Sequence, residues 1–349
     1  MYIEQSAPYQ KLVITDLSEP VKDFRLFELK PLNGEEISYQ AGQYITFTEH
    51  TGQQEVRRSY SMTSSPLLNE PMTIGVKRLE NGSFSRLLFR LKKGNVLTST
   101  GTGGFFSLPE KVPVRQQFFF LAAGAGITPV FSIIKTACVS YPNISIVLIY
   151  SNHSPRQTAF LKELKSLEEN NSNLKITFLF SDNPDLNRAR LNTEFLFRLL
   201  NEYHADIPNA LFYLCGPEAY MRMCLFTLRE AGIADERIRK ENFIVRKKEI
   251  TYNKPPDERP HEVIINVNGK MTALVVQYPL SILETAKRSG LSLPYSCESG
   301  ICGNCVARCI SGAVWMANNE VLTDMDLKEK LVLTCTGYPV YGDVFLKIN

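Results

Sequence analysis

Cys297, Cys302, Cys305 and Cys335 stand in the pattern C-x4-C-x2-C…C. Three thiolates on one short loop and a fourth from a later segment can surround two iron ions. Each iron then takes two protein sulfurs beside bridging sulfides, a centre built for one-electron chemistry. Gly300 and Gly303 sit inside the loop, where amides must turn towards sulfur and the backbone must tolerate unusual angles. Structural zinc usually draws on paired C-x2-C knuckles, and here Cys335 stands alone. The eight cysteines (138, 215, 224, 297, 302, 305, 309, 335) are too clustered for a disulfide-stapled scaffold of 349 residues. The spacing therefore favours a cluster over zinc, and zinc over disulfides. Cys309 falls in a strand-like segment, 306–311, and is expected to be a small buried side chain rather than a fifth ligand.

Further upstream are groups suited to nucleotides. Arg58-Ser59-Tyr60-Ser61 offers a cation for a pyrophosphate, an aromatic plane for a flavin ring and a hydroxyl. Taken alone, Tyr60 reads as a half-buried strand aromatic. Asn81-Gly82-Ser83-Phe84-Ser85 reads as a helix start whose amides and hydroxyls can receive phosphate, with Lys77 nearby; a plain surface turn has the same composition. Gly124-Ala-Gly126-Ile-Thr128-Pro129 follows an apolar strand, where glycines let a dinucleotide pyrophosphate approach the next helix, although GxGxxP departs from GxGxxG. Pro129 suits a first helical turn. Cys215-Gly216-Pro217 closes a later strand at the position of a ligand crevice, where a lone cysteine is more often simply buried.

These groups must be positioned by more than one core, since 349 residues with 44% hydrophobic content exceed one ordinary domain. Runs at 12–15, 24–29, 44–48, 57–62 and 72–77 are short and β-rich, which predicts an antiparallel barrel. From 117 to about 237, apolar strands at 118–122, 144–150, 176–181 and 211–215 alternate with helical stretches such as 155–169 and 217–231, the pattern of a parallel α/β sheet. Residues 246–260 carry Lys247, Lys248 and three prolines and read as a tether, with a reach of about 20 Å if coiled. Beyond it, 263–267 and 271–276 suggest a hairpin and 281–288 a helix capped by Ser281 with Glu284 three positions on. The expected boundaries are 1–112, 113–245, a linker at 246–260, and 261–349. A net charge of +3 and pI near 8.3 without a dense basic run exclude a nucleic-acid footprint. Residues 1–16 lack a secretory pattern, so cytoplasm is the expected location. The uncharged stretch 116–134 is broken by Gly124, Gly126, Thr128 and Pro129 and reads as strand, loop and helix rather than a membrane span.

The order of RxYS, GxGxTP, CGP and C-x4-C-x2-C…C resembles the ferredoxin-NADP reductase superfamily over nearly the whole chain. Within it, the oxygenase reductases with a C-terminal plant-type ferredoxin are similar, notably reductase subunits of the phenylacetyl-CoA epoxidase and phenol hydroxylase types. The resemblance implies an antiparallel β-barrel FAD domain, an α/β parallel-sheet NAD(P) domain and an α+β (β-grasp) ferredoxin domain. It implies that Arg58 binds the FAD pyrophosphate, Tyr60 lies against the isoalloxazine and Ser61 sits near flavin N5. Gly82, Ser83 and Ser85 would contact the FAD phosphates, with Lys77 beside them. Thr128 and Cys215 would border the nicotinamide, so that Ser61, Thr128 and Cys215 stand nearest the chemistry. Gly124, Gly126, Pro129, Gly216 and Pro217 would admit the dinucleotide, and Phe243 resembles the terminal aromatic of such reductases.

After the second α/β strand the chain reads Tyr150-Ser-Asn-His-Ser-Pro-Arg156, without a carboxylate to hold a ribose 2′-hydroxyl. Ser151, His153 or Arg156 can meet a 2′-phosphate, so NADPH is expected, with NADH the alternative that Asp182 favours. The resemblance further implies transfer of a hydride from nicotinamide to flavin and of single electrons to the cluster. Only four histidines occur (50, 153, 204, 261), and Glu258-x-x-His261 lies in the proline-rich tether, so the chain holds no oxygen-activating iron site of its own. A separate oxygenase, di-iron in type, is expected to dock near the cysteine loop. Seven Lys/Arg against eight Asp/Glu in 261–349 do not mark its surface. The alternatives are a general NAD(P)H-ferredoxin reductase or diaphorase, and a zinc-binding protein without enzymatic activity.

Overall fold

A computed structural model describes residues 9–51, 54–80, 82–109, 112, 116–243 and 254–348. Asn81, Lys247, Lys248 and most of the expected tether lie outside the described residues. Two compact units result, one of residues 10–243 and one whose described part is Tyr9 and 254–348.

In the first unit, β1 (Gln10–Val21), β2 (Phe24–Pro31), β3 (Tyr44–Thr51), β4 (Gln54–Ser61), β5 (Thr73–Lys77) and β6 (Val96–Gly103) form an antiparallel sheet ordered β4-β3-β6-β1-β2-β5. A bridge from Met62 to Ile74 brings the two edge strands together, so the sheet closes as a barrel. Period-2 alternation fills it: Leu12 and Ile14 are fully buried while Val13 between them is half-buried. Phe27, Phe47, Met62, Ile74 and Val76 complete the interior, capped by Leu88 of α1 (Ser83–Leu88).

The same unit continues with β7 (Gln117–Ala123), α2 (Ile127–Ser140), β8 (Ser145–Asn152), α3 (Leu161–Asn170), β9 (Leu174–Phe180), α4 (Leu186–Ala189), α5 (Thr193–Glu202), β10 (Leu211–Cys215), α6 (Glu218–Glu230) and β11 (Ile238–Glu241). Its sheet is parallel throughout, ordered β11-β10-β7-β8-β9. Helices cover both faces, which is why β7 reads Phe-Phe-Phe-Leu-Ala rather than alternating. Phe118 and Phe120 join the core under α2, while Phe119 and Leu121 join that under α5 and α6.

The helix expected at 155–169 begins only at Leu161. Phe160 adopts a left-handed conformation (φ +60°) and stacks on Phe131 at 4.2 Å, so the chain dips into the core before the helix starts. Pro155–Gln157 is an isolated 3-10 turn.

The second unit contains β12 (His261–Val267), β13 (Lys270–Val276), α7 (Ile282–Arg288), β14 (Val306–Met316), α8 (Asp324–Lys328), β15 (Leu331–Leu333) and β16 (Gly337–Ile348). Its sheet is mixed, ordered β13-β12-β16-β14-β15, with β12 and β16 parallel. Against it α7 buries Ile282, Leu283 and Ala286, an α+β arrangement of the β-grasp kind. Ser281 Oγ accepts the Glu284 N–H at 3.2 Å, as expected of a cap.

Residues 254–260 are built onto this unit rather than lying free. Asp257 is buried, and its carboxylate accepts from Arg259 Nε and Nη2 at 2.9 Å each, His261 Nε2 at 2.9 Å and the Tyr341 N–H at 3.0 Å. A fully coiled 246–260 therefore overstates the reach.

Candidate functional site

The cysteine loop runs between α7 and β14, and backbone conformation does most of its shaping. Gly300 and Gly303 have φ of +75° and +74°. A Cβ on Gly300 would overlap the Asn318 carbonyl, so that position requires glycine for space as well as angle. Asn318 Nδ2 donates to Ser299 O at 2.7 Å, and Thr336 Oγ1 donates to Asn318 O at 2.8 Å. Thr334 ties the segment carrying Cys335 to the loop, donating through N and Oγ1 to Cys305 O, each at 3.0 Å. Asn318, Thr334 and Thr336 belong to no motif and carry no signal of this role in the sequence.

All four expected thiols converge. Cys305 Sγ lies 3.1 Å from Cys335 Sγ, and Cys297 receives hydrogen bonds from the thiols of Cys302 and Cys335. The Ser299 N–H donates to Cys297 Sγ at 3.4 Å and the Asn304 N–H to Cys302 Sγ at 3.5 Å. The two neighbouring thiols, then the amides of Ile301 and Ser299, hold Cys297 well below the usual thiol range, while donation to Cys297 and then burial push Cys302 up. Among the described residues, no three His, Cys, Asp or Glu side chains close on a single ion. A two-iron cluster asks for something else, two thiolates for each iron, and four adjacent thiols ringed by inward amides fit that donor set. Cys309 is turned away to its own strand, donating to Ser311 O at 3.4 Å and Gly312 O at 3.6 Å.

In the first unit, a crevice of about 760 Å³ opens over the C-terminal ends of the parallel strands. Ala123 at the end of β7 with Gly124 and Ala125 beyond it, Ser151 and Asn152 at the end of β8 with His153 beyond it, Ser181 after β9 and Pro217 after β10 line it, with Lys77 and Arg78 from the barrel. Gly124 (φ +55°) starts a 3-10 turn that runs into α2, and Tyr150 Oη donates to its carbonyl at 3.2 Å. A Cβ on Gly124 would stand 3.9 Å from Lys77 Nζ, and one on Gly126 would overlap the Cys215 carbonyl. Gly216 packs against Ala123, and Thr128 Oγ1 donates to Ala125 O at 3.0 Å, closing the turn.

Three buried polar atoms around this crevice, Ser151 Oγ, Asn152 Nδ2 and Tyr220 Oη, make no well-aligned hydrogen bond among the described residues, although Tyr220 faces Ser151 and Cys224 and Asn152 faces Tyr150. Burial also raises the Tyr220 hydroxyl far above its ordinary pKa. Buried polar groups are normally satisfied, so poorly aligned ones at a strand-end crevice fit a polar dinucleotide.

Cys215 is fully buried, and burial followed by the nearby Glu241 pushes its thiol well up, so it is neutral. Glu241 is the residue that sequence reasoning missed. It pairs with Cys215 across β10 and β11, is 8% exposed, and burial raises its carboxyl to about 8. Its only signal is a lone Glu ending a weak strand. Arg190, Ser181 and Tyr220 line the crevice without sequence warning, whereas Thr128, Cys215 and Glu241 are buried behind its wall and do not line it. Arg156 is exposed and does not line the crevice, nor does the exposed Asp182; His153 Nδ1 instead meets Ser181 Oγ at 3.0 Å. Phe243, two residues past β11, is 44% exposed.

On the barrel, Arg58 is exposed and donates through Nη1 to Arg57 O at 2.7 Å. Tyr60 lies between the rings of Phe47 and Phe84, 6.2 and 6.0 Å away, and burial raises its hydroxyl. Ser61, opposite Tyr44 at the strand end, is buried. Gly82 is the N-cap of α1 and Ser83 is exposed at its first position. Ser85 Oγ is used inside the turn, accepting from Leu79 N at 3.1 Å and donating to Gly82 O at 3.2 Å. Its geometry is that of a turn clamp, whatever contact a ligand adds.

Three family descriptions match the chain: oxidoreductase FAD-binding domain over 11–107, oxidoreductase NAD-binding domain over 120–225, and 2Fe-2S iron-sulfur cluster binding domain over 265–340. A component of the 1,2-phenylacetyl-CoA epoxidase of Escherichia coli (strain K12) is 28% identical, over 90% of this chain and 90% of its own length. The glycine betaine monooxygenase reductase subunit of Pseudomonas aeruginosa is 27% identical, over 88% and 87%. Phthalate dioxygenase reductase superposes with a TM-score of 0.60 at 23% identity, covering 99% of this chain and 100% of that one. An intact type IV self-sufficient cytochrome P450 monooxygenase gives a TM-score of 0.71 at 20% identity over 97% of this chain, which spans 41% of that longer one. These two structural likenesses establish the fold.

Proposed function

Because the chain joins FAD-binding, NAD-binding and 2Fe-2S cluster binding domains, and so belongs with the three-domain reductases of the ferredoxin-NADP reductase superfamily, we propose that it is the reductase component of an oxygenase system. In this reading it passes electrons from NADPH to a separate di-iron oxygenase that docks near the cysteine loop, in the cytoplasm. The observation that carries it is the presence, in one chain, of the four-thiol loop and a strand-end crevice opening over the left-handed Gly124 turn. Relatives named as a subunit of an epoxidase and as the reductase subunit of a monooxygenase support the destination. Among the described residues no helix is long and apolar enough to cross a membrane.

When bound, FAD supplies the conversion between a two-electron donor and the one-electron cluster. The chain's own residues do the rest. Arg58 offers its cation to the pyrophosphate and Tyr60 its ring to the isoalloxazine, while Ser61 places a buried hydroxyl at the end of β4. Gly124 keeps the crevice floor free of a side chain, Gly126 and Gly216 let the turn pack closely on β10 and Ala123 behind it, and buried Thr128 closes the turn. Cys215 and Glu241 present a neutral thiol and, near pH 7, a largely protonated carboxyl, both able to donate without burying charge. Arg190 supplies a cation at the crevice for a 2′-phosphate, whereas Asp182 stands outside it, which supports NADPH over NADH.

The test is oxidation of NADPH and of NADH by purified protein, with and without a di-iron oxygenase, following coupled oxygenation. Flavin and cluster absorption with coupled product supports the proposal. Reduction of generic acceptors without coupling identifies a diaphorase, and stoichiometric zinc without either absorption ends the redox reading.

A further inference from the structure

Helix α2 begins at the glycine turn and then runs along the barrel, and one of its faces is polar although the helix is otherwise apolar. Thr128, Ser132, Lys135 and Thr136 recur at the i, i+4, i+7, i+8 spacing of a single face. That face meets the chain immediately after the Arg58-to-Ser61 strand. Ser132 Oγ donates to Ser64 O at 2.6 Å, and Ser65 Oγ meets Thr136 Oγ1 at 2.7 Å. Since Thr136 Oγ1 donates to Ser132 O at 3.0 Å, the Ser65 hydroxyl is the donor of that pair. Lys135 is ion-paired with Glu70, whose carboxylate also accepts the Ser65 N–H at 2.8 Å. Ser64, Ser65, Ser132 and Thr136 are all at most 9% exposed, so these bonds are not diluted by water.

The first turn of the helix is set by contact as well. A Cβ on Gly75 of β5 would stand 2.5 Å from Thr128 Cγ2 and 3.0 Å from Thr63 Cγ2. Thr128 is therefore seated on bare backbone of the barrel. Thr63 N and Oγ1 both donate to Thr73 O, fixing the other side of that seat. Five consecutive residues, Ser61 to Ser65, thus carry the end of the flavin strand, the seat of Thr128 and the anchor of α2.

We propose that this buried seam, Ser64 and Ser65 with Ser132 and Thr136, completed by Lys135–Glu70 and by the Gly75 seat, is a positioning device that holds the nicotinamide turn in register with the flavin strand. It rests on the reading of Ser61 as flavin-adjacent and Thr128 as nicotinamide-adjacent. Chemistry that needs two rings in contact is steep in distance, and a displacement of about 1 Å can cost about a hundredfold in rate. A hydroxyl seam tolerates less sliding than apolar packing because each bond is lost within a few tenths of an ångström.

The test uses the full-length holoprotein with G75A and the double variant S65A/T136V. The double variant removes both members of the Ser65–Thr136 hydrogen bond at nearly constant volume, together with the Thr136 bond to Ser132 O, a helix carbonyl, so the expected cost to stability is small. In both, the limiting rate of flavin reduction at saturating NADPH is expected to fall on the order of tenfold or more, with dissociation constants for NADP⁺ and FAD content unchanged within about threefold. Transfer from dithionite-reduced flavin to the cluster should keep its rate. Amide exchange of α2, read on the FAD-stripped chain as well, should quicken. Unchanged limiting rates in well-folded S65A/T136V overturn the proposal, as does a loss explained entirely by lost FAD or NADP⁺ affinity. If wild-type flavin is not reduced by NADPH or NADH at all, the functional reading fails instead, and that outcome is visible before any variant is made.

Discussion

At the cysteine loop, placement is local: two left-handed glycines and a handful of inward amides aim three of four sulfurs within nine residues. In the nucleotide crevice, placement is assembled: Gly124, Ser151, Ser181, Pro217 and Lys77 come from the ends of different strands and from both layers of the unit. A local site depends on a few backbone angles and on its ligands. An assembled one depends on how strands and helices are registered, so damage can enter from positions that touch no ligand.

Removing a ligand is the harshest test of that contrast. Cys302→Ser is expected to abolish the iron-sulfur absorption and electron delivery, while reduction of flavin by NADPH proceeds at the wild-type rate; a visible spectrum and stopped-flow traces check both. A C302S protein that retained the full cluster band would break the local picture. Glycine replacements come next. Gly126→Ala forces its new Cβ into the Cys215 carbonyl at an otherwise ordinary backbone angle, and should lower flavin reduction on the order of a hundredfold without affecting cluster content. Gly300→Ala adds an overlap with Asn318 to about 1–2 kcal/mol of left-handed strain, and should lower cluster content while leaving the crevice intact.

Glu241 provides a pH handle on the assembled site alone. Its folded-state pKa of about 8 lies above its ordinary 4.5, so the folded form keeps a proton that the unfolded chain has released. Its contribution to stability therefore falls as pH rises from about 4.5 to about 8 and levels off above, by the order of a few kcal/mol. Glu241→Gln should flatten that slope in urea unfolding of the crevice unit measured between pH 5 and pH 9; an unchanged slope would show that the carboxyl ionises freely. The smallest effect is expected for Cys309→Ala, with cluster absorption unchanged and stability altered by less than about 2 kcal/mol.

The same contrast explains what was legible in the sequence. The cysteine loop and the glycine turn are contiguous, so spacing alone reveals them. The pairing of Cys215 with Glu241 spans two strands and a helix, and β11 itself is four residues ending in Arg-Lys-Glu, too short and polar to announce a strand. The helix at Leu161 starts late because Phe160 is drawn onto Phe131, a tertiary contact that overrides the local helical pattern. Residues 254–260 looked like tether from their prolines and charges, and only the distant Tyr341 amide reveals why Asp257 is buried there.

Asp257 also decides where an excised cluster fragment should begin. A fragment cut at His261 discards the carboxylate that its own first imidazole and the Tyr341 amide bind, leaving both to water and β16 without that clasp. One begun at Lys254 keeps that clasp, so a cluster fragment is expected to hold its fold better when it starts seven residues before its first strand.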